Sequence, residues 1–265
     1  MNGVLKLAFK CKIKAATNNF NAANKIGEGG FGPVYKGQLS NGTLIAVKQL
    51  SSKSRQGNRE FVNEIGIISG LQHPNLVKLY GCCIERTQLL LVYEYMENNS
   101  LARALFGAET SVPILDWATR QKICIGLARG LAFLHEESTL KIVHRDIKAA
   151  NVLLDGDLKA KISDFGLAKL NERRTPTLAL GLLEPGYMAP EYALWGHLTD
   201  KRHLQLWGGS FRKLSVGRTT QVASRKTNVF VFLTGCAFAL QQKGSLMEIV
   251  DPKLGSDSTG MRLRG

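Results

Sequence analysis

The order of patterns along this chain predicts an α+β fold of two lobes, the first rich in β-strands and the second mainly helical. Three observations carry that expectation. Between Lys25 and Leu50 apolar runs flank Asn41-Gly42, a dipeptide that favours a tight hairpin. Residues 58–71 place Phe61, Ile65, Ile68 and Leu71 at helical spacing. Residues 117–136 set Ile123, Leu127, Leu131 and Leu134 on one face of a long amphipathic helix.

The elements follow in order. Residues 15–24 (Ala-Ala-Thr-Asn-Asn-Phe-Asn-Ala-Ala-Asn) read as a short helix and polar turn entering the domain. Strand texture then runs through a glycine-rich turn, Val34-Tyr35-Lys36-Gly37, the hairpin signal, and Leu44-Ile45-Ala46-Val47-Lys48. One helix follows at 58–71, and further strands at 76–84 and 88–95. After Asn98-Asn99-Ser100 the chain turns helical, with Ser100 suited to cap Leu101–Phe106. The long helix at 117–136 comes next, and no internal repeat is present. The expected organisation is a lead-in over 1–24, an N-lobe over 25–96 and a C-lobe core over 97–200. An aberrant segment at 201–239 and a remnant of the C-lobe at 240–265 complete it.

With 265 residues and 44% hydrophobic content, the chain can bury a substantial core. No run of about 18 apolar residues is present, so no membrane span is expected. Met1 to Lys14 alternates apolar residues with lysines and lacks a secretory core, which points to the cytosol. Five cysteines (Cys11, Cys82, Cys83, Cys124 and Cys236) have spacings that suit neither a disulfide framework nor a zinc site, so buried free thiols are expected. The net charge of +14 would suit nucleic acid or an anionic surface. Yet no Asp or Glu falls between Lys201 and Met247, while Lys201, Arg202, Arg212, Lys213, Arg218, Arg225, Lys226 and Lys243 all do. Much of the excess comes from that one unusual stretch, and no nucleic-acid partner is expected.

Gly27-Glu28-Gly29-Gly30-Phe31-Gly32-Pro33-Val34 fits G-x-G-x-x-G-x-V, a spacing that dinucleotide sites share. In a dinucleotide fold the glycines lead into a helix; here a strand and a hairpin follow. A glycine loop between strands can fold over phosphates and offer them backbone N–H groups. Lys48, closing Ile45-Ala46-Val47-Lys48, can then reach the α- and β-phosphates, and it needs an anion to hold it. Glu64 on the following helix is the first choice, and Glu60, one turn away, the second. The strongest signal is His144-Arg145-Asp146-Ile147-Lys148-Ala149-Ala150-Asn151 followed by Asp164-Phe165-Gly166. Phosphoryl transfer relies on positioning and charge neutralisation, so it needs a carboxylate near the attacking hydroxyl and oxygen ligands for Mg²⁺. Asp146 suits the first role, Asn151 and Asp164 the second, and Lys148 can neutralise the transferring phosphate.

These motifs, with Ala189-Pro190-Glu191 downstream, resemble the protein kinase family. Ala15-Ala16-Thr17-Asn18-Asn19-Phe20, Leu79-Tyr80-Gly81-Cys82-Cys83 and Leu91-Val92-Tyr93-Glu94-Tyr95 look like plant leucine-rich-repeat receptor-like serine/threonine kinases. The likeness runs from about Ala15 to Leu170, returns at Gly186–Lys201 and again at Leu240–Ser256. It implies a bilobal kinase fold, with residues 1–24 a juxtamembrane-like lead-in, that uses ATP and Mg²⁺ on the serine or threonine hydroxyl of a protein. Receptor or co-receptor kinases would be partners, at the cytosolic face of the plasma membrane. By the same resemblance ATP would meet the glycine loop (Gly27, Glu28, Gly29, Gly30, Phe31, Gly32), Val34, Ala46 and Lys48. Tyr93 would be the gatekeeper, and the backbone of Glu94 and Met96 would hold adenine. Asp146-Ile147-Lys148 resembles the serine/threonine pattern, and Arg145 resembles the arginine that grips an activation-loop phosphate.

The chain departs from the family in two places. Where the family has a segment like T-H-I-S-T-R-V-A-G-T before Gly186-Tyr187-Met188, Thr175–Pro185 reads Thr-Pro-Thr-Leu-Ala-Leu-Gly-Leu-Leu-Glu-Pro. Synonymous codons for that string, regrouped from the third base, spell T-H-I-S-T-R-V-A-G-T. His203–Ser210, regrouped from the second base, likewise gives I-Y-S-F-G-V-V, the family's pattern after its helix-F aspartate. Residues 173–185 and 202–239 are therefore expected to be out of frame, and the family pattern continues for several helices past Gly265. On that basis the alternative to an active kinase is a catalytically impaired, nucleotide-binding pseudokinase acting as a scaffold.

Overall fold

The computed structural model describes residues 10–29, 32–84, 88–107 and 115–170. Gly30, Phe31, Ala189-Pro190-Glu191, the segments 173–185 and 202–239 expected to be out of frame, and residues 240–265, expected to be a C-lobe remnant, lie outside them. The N-terminal lobe is a five-stranded antiparallel sheet of β1 (Lys25–Gly29), β2 (Gly32–Gln38), β3 (Leu44–Ser51), β4 (Leu79–Ile84) and β5 (Gln88–Glu94). Its spatial order is β1-β2-β3-β5-β4. The hairpin expected at Asn41-Gly42 joins β2 to β3, with Gly42 at φ 83°.

Strand periodicity gives this sheet two buried faces. On one, Ile45, Val47, Leu90 and Val92 pack with Cys83 against Ile13 of α1 (Lys10–Ala16). On the other, Leu50, Leu89, Leu91 and Tyr93 pack against Phe61 of α2 (Arg55–Ile68). Lys48 shares the α2-facing parity. Its place in the register, opposite Val34 on β2 and Leu91 on β5, is what delivers its ammonium beneath the glycine turn.

The second lobe begins with α3 (Leu101–Phe106), capped as expected by the Ser100 hydroxyl, which accepts from the Arg103 N–H at 3.3 Å. α4 (Trp117–Ala132) follows, its start capped by Asp116, and a single π turn over Phe133–Glu137 ends it. The short strand pairs β6 (Ile142–Val143) with β9 (Lys169–Leu170), and β7 (Val152–Leu154) with β8 (Ala160–Ile162), frame the loop that carries the His144–Asn151 motif. Ile123, Leu127, Leu131 and Leu134 are all buried, in one cluster with Ile68 of α2 and Phe165. That cluster joins the lobes. The linking segment 71–78 is tied to β8 as well: Asn75 Nδ2 donates to the Ala160 carbonyl (2.9 Å), and the N–H of Val77 to the Ile162 carbonyl (2.9 Å).

Four boundaries depart from the sequence reading. The first helix precedes the expected 15–24 segment, because Asn18, Asn19 and Phe20 adopt positive φ (49°, 55° and 56°) and stop it. α2 starts earlier than residue 58 because the Ser54 hydroxyl accepts from the Gly57 N–H at 3.2 Å. The strand expected from residue 76 begins at Leu79, Leu76 making an isolated bridge to Ile162 instead. The α-helical part of 117–136 ends at Ala132, where the π turn takes over. Cys82, Cys83 and Cys124 are buried free thiols, and burial pushes the Cys124 thiol up to about 11.

Candidate active site

A cleft of ≈ 720 Å³ opens between the lobes, within the range of small-molecule sites. Gly27, Glu28, Gly32, Val34 and Ala46 line its N-lobe side, with Lys48 and Glu64 behind them. Tyr93, Glu94 and Met96 form the connecting edge, and Lys148, Asn151 and Asp164 lie on the C-lobe side. The two ends of the glycine turn differ in what they need. Gly32 sits at φ 127°, and a Cβ there would come within 2.0 Å of the Gln49 carbonyl oxygen, so glycine is required by the fold itself. Gly27 has open space where a Cβ would go, so no neighbour in the chain demands its small size.

Three charged groups converge at the back of the cleft. Lys48 Nζ lies 2.8 Å from Asp164 Oδ1 and 3.3 Å from Glu64 Oε2. Of the two glutamates considered for Lys48, the structure brings Glu64 to it. Glu60 instead accepts from Gln56 Nε2 at 2.6 Å. The Tyr93 hydroxyl donates to the other Glu64 oxygen at 2.5 Å. Burial acts to lower the Lys48 pKa, but the carboxylates of Glu64 and Asp164 override it and hold the ammonium above its ordinary value. Burial acts against an ionised Asp164 too; the adjacent Lys48 prevails and keeps that carboxyl below the usual range. For Glu64 burial dominates and pushes its carboxyl up, opposed by Lys48 and the Tyr93 hydroxyl.

Asp146 and Asn151 form the second centre. Asn151 Nδ2 donates to the Asp146 backbone carbonyl (2.9 Å) and to its Oδ2 (2.8 Å). With both amide hydrogens used there, the Asn151 side-chain oxygen is left as an acceptor, in a residue that lines the cleft. Lys148 Nζ lies 3.4 Å from the same Asp146 oxygen. The intervening chain is shaped by neighbours that the motif does not announce. Ser163 gives both its N–H and its hydroxyl to the Asn151 carbonyl, at 2.9 Å each. His144 is fully buried: Nδ1 accepts from the Asp146 N–H (3.3 Å), and Nε2 faces the Ser163 carbonyl (3.0 Å). This pattern fits a neutral ring protonated at Nε2, and burial lowers its pKa accordingly. Its ring meets Phe165 edge-on at 4.7 Å. Arg145 and Asp164 both hold positive φ (72° and 65°). That backbone conformation costs a non-glycine residue about 1–2 kcal/mol and is found at functional turns.

Sequence reasoning gave no role to Ser163, to the rings of His144 and Phe165, or to Asn63, whose amide reaches the turn after Asp164. It also missed the side chain of Glu94, which accepts from Lys161 Nζ of β8 (2.8 Å) and from the Lys78 N–H (2.8 Å), bracing the edge between the lobes.

A centre that pins a lysine between two carboxylates and faces an Asp–Asn pair across a nucleotide-sized cleft belongs to the class of phosphotransferases that work by charge and position. The protein kinase domain profile matches residues 20–210, and the chain belongs to that family. Three probable LRR receptor-like serine/threonine-protein kinases of Arabidopsis thaliana are 62%, 64% and 63% identical to it over 247, 246 and 246 residues. These alignments cover 93%, 92% and 92% of this chain but 26%, 24% and 24% of the relatives, so the chain spans about a quarter of their length. Use of ATP and a divalent metal, and action on protein substrates, come with the family. Among the described residues no helix is long and apolar enough to cross a membrane.

Proposed function

We propose that this chain transfers the γ-phosphoryl group of ATP to a serine or threonine hydroxyl of a protein, as the cytosolic kinase portion of a receptor-like kinase. The observation that carries the reading is Lys48 held at 2.8 Å and 3.3 Å by carboxylates from two different elements, at the phosphate end of the cleft. A lysine so fixed stays charged and aimed at the α- and β-phosphates. Adenine would lie against Ala46, Tyr93 and Met96, with hydrogen bonds to the backbone of Glu94 and Met96. The names of the relatives and the Asp146-Ile147-Lys148 sequence support serine or threonine as acceptor.

The donor set also suits magnesium. Among the described residues no cage of three or more His, Cys, Asp or Glu side chains exists. Two oxygen donors, Asp164 and Asn151, fit an ion that keeps waters and takes its remaining ligands from substrate phosphates. When bound there, Mg²⁺ would neutralise charge on the β- and γ-phosphate oxygens. In the transfer step the substrate hydroxyl oxygen bonds to the γ-phosphorus, and the bond from that phosphorus to the β,γ-bridging oxygen breaks. ADP departs, the hydroxyl proton passes to Asp146, and Lys148 offsets charge on the moving group.

Mg-ATP is expected to raise the melting temperature, since a ligand that binds only the folded state stabilises it. Asp146→Asn is expected to keep that shift while phosphotransfer to serine or threonine peptides falls by about 10²–10⁴-fold. No shift at millimolar Mg-ATP on folded protein overturns the nucleotide site, and unchanged turnover in the variant overturns the role of Asp146. A shift without turnover in the unaltered chain would favour the scaffold reading. That reading draws on residues 173–185 and 202–239, which read as out of frame; the transcript sequence across codons 170–240 tests this directly.

A further inference from the structure

Asn63 precedes Glu64 on α2. From a half-buried position on α2, its Nδ2 lies within hydrogen-bond reach of three carbonyl oxygens: Phe165 at 3.2 Å, Gly166 at 2.8 Å and Ala168 at 2.7 Å. All three belong to the turn that follows Asp164. Facing three acceptors, the amide can present only its NH₂, so two good bonds form and the longest contact shares a hydrogen. The same approach bears on a glycine. A Cβ on Gly166 would stand 3.2 Å from Glu60 Cγ and 3.4 Å from Glu60 Cβ, a tight fit that Glu60 would have to yield to by a few tenths of an ångström.

We propose that Asn63 is a positioning residue that fastens α2 to the turn after Asp164, and thereby sets how Lys48 is shared between Glu64 and Asp164. Glu64 rides on α2 and Asp164 opens the turn, so whatever fixes one element against the other fixes the two anions that aim the lysine. Asn63 is not among the residues that line the cleft, and it acts through these elements. The inference rests on the phosphate-binding role given to Lys48 above.

Asn63→Asp tests it, because the carboxylate has the shape of the amide but no hydrogens to give, and it would set negative charge against three carbonyl oxygens. Asn63→Ala removes the group without adding repulsion, and Asn63→Gln returns the donor on a longer stem. Affinities of the whole chain for adenosine and for Mg-ATP are measured in parallel. Adenosine uses the far end of the cleft and should bind all variants alike. Mg-ATP affinity should fall about tenfold in Asn63→Ala, the scale of two neutral hydrogen bonds, further in Asn63→Asp, and partly recover in Asn63→Gln. A merely structural residue would weaken both ligands together, and that result, or Mg-ATP binding by Asn63→Asp at the level of the unaltered chain, overturns the proposal. If the unaltered chain binds neither ligand, the nucleotide reading falls, and amide exchange still judges the clamp. The Ala168 N–H, bonded to the Phe165 carbonyl at 3.0 Å, should exchange at least tenfold faster in Asn63→Asp. Equal protection overturns the proposal, as would a variant that loses protection uniformly along the chain while Asn63→Ala keeps it at Ala168.

Discussion

Replacing Lys48 by methionine removes the charge and keeps most of the apolar stem, so it isolates what the ammonium does. At an effective dielectric of about 20, separations of 2.8 Å and 3.3 Å correspond to gross attractions of about 6 and about 5 kcal/mol with Asp164 and Glu64. Most of that offsets the desolvation of three groups, of which Glu64 is 1% exposed by side chain. What the substitution loses is set by the anions left behind. Breaking a buried pair from one side costs about 3–5 kcal/mol. At about 2–4 °C per kcal/mol for a domain this size, the lower figure is a fall of about 6–12 °C in melting temperature near pH 7.5.

The pH dependence distinguishes this from lost packing. Lys48 has a folded-state pKa above its unfolded 10.5, so its own contribution is complete below 10.5 and is lost only at higher pH. Between pH 5 and 8 the variant's deficit therefore follows the carboxylates. Glu64, whose carboxyl burial already raises, should take up a proton as pH falls and relieve the repulsion, so the gap to the unaltered chain should narrow toward pH 5. Differential scanning calorimetry at several pH values, with and without Mg-ATP, reads both effects. A deficit under 2 °C at pH 7.5, or one that is constant with pH, would refute the electrostatic account of this centre.

Two further substitutions probe the contact between α2 and the turn. Glu60 is 1% exposed, its Oε2 has no hydrogen-bond partner among the described residues, and burial raises its carboxyl above the ordinary 4.5. An acid with a raised folded pKa contributes most below its unfolded value and loses that contribution as pH climbs through the folded one. Glu60→Gln should therefore melt higher than the unaltered chain at pH 7.5, with the advantage vanishing toward pH 4.5; a lower melting temperature at both pH values would count against it. Gly166→Ala should lose about 1–3 kcal/mol of stability by overpacking against Glu60, together with Mg-ATP affinity. Denaturant titration and calorimetric binding would show whether the neighbours yield without cost, which would be the contrary result.

Much of this arrangement could be read from the chain because the chemistry dictates residue types in a fixed order. Lys48, Asp146, Asn151 and Asp164 answer to what a phosphate, a hydroxyl and a metal demand; the fold sets Lys48, Asn151 and Asp164 on one cleft and ties Asp146 to Asn151 beside it. The sheet was legible because its inner strands alternate faces, and α4 because its apolar positions follow the helical period. The first helix ends before residue 17 for a local reason and a distant one. Asn18 and Asn19 tolerate positive φ, which the composition hints at, but Phe20 shares that conformation while its ring packs edge-on against Tyr35 at 5.4 Å. That packing depends on Tyr35 of β2, which helix patterning around residues 15–24 does not take into account. Asn63 marks the limit more sharply. On a helical wheel it is one more polar residue, and its acceptors lie 102 to 105 positions away. Single-chain patterning cannot relate such positions, whereas a motif reader finds Asp164 without knowing what holds it.

Three of the hidden residues do one kind of work, apart from the Glu94–Lys161 pair that braces the edge between the lobes. Ser163 fixes the backbone of Asn151, His144 fixes that of Asp146, and Asn63 fixes the turn behind Asp164. Each is a neutral donor or acceptor spent on a carbonyl or an N–H near a charged side chain. Charge placed in a low-dielectric cleft acts strongly on a reacting phosphate only if it does not have to reorganise during the reaction. A charged group could not supply that fixing without shifting the balance among Lys48, Glu64 and Asp164, whose ionisation states already depend on one another. Neutral hydrogen bonds hold geometry and leave that balance alone. Around Asp146, Asn151 and Asp164 the division of labour follows from electrostatics: carboxylates and the lysine they hold carry the charge, and Ser163, His144 and Asn63 fix the backbone beneath them without adding any.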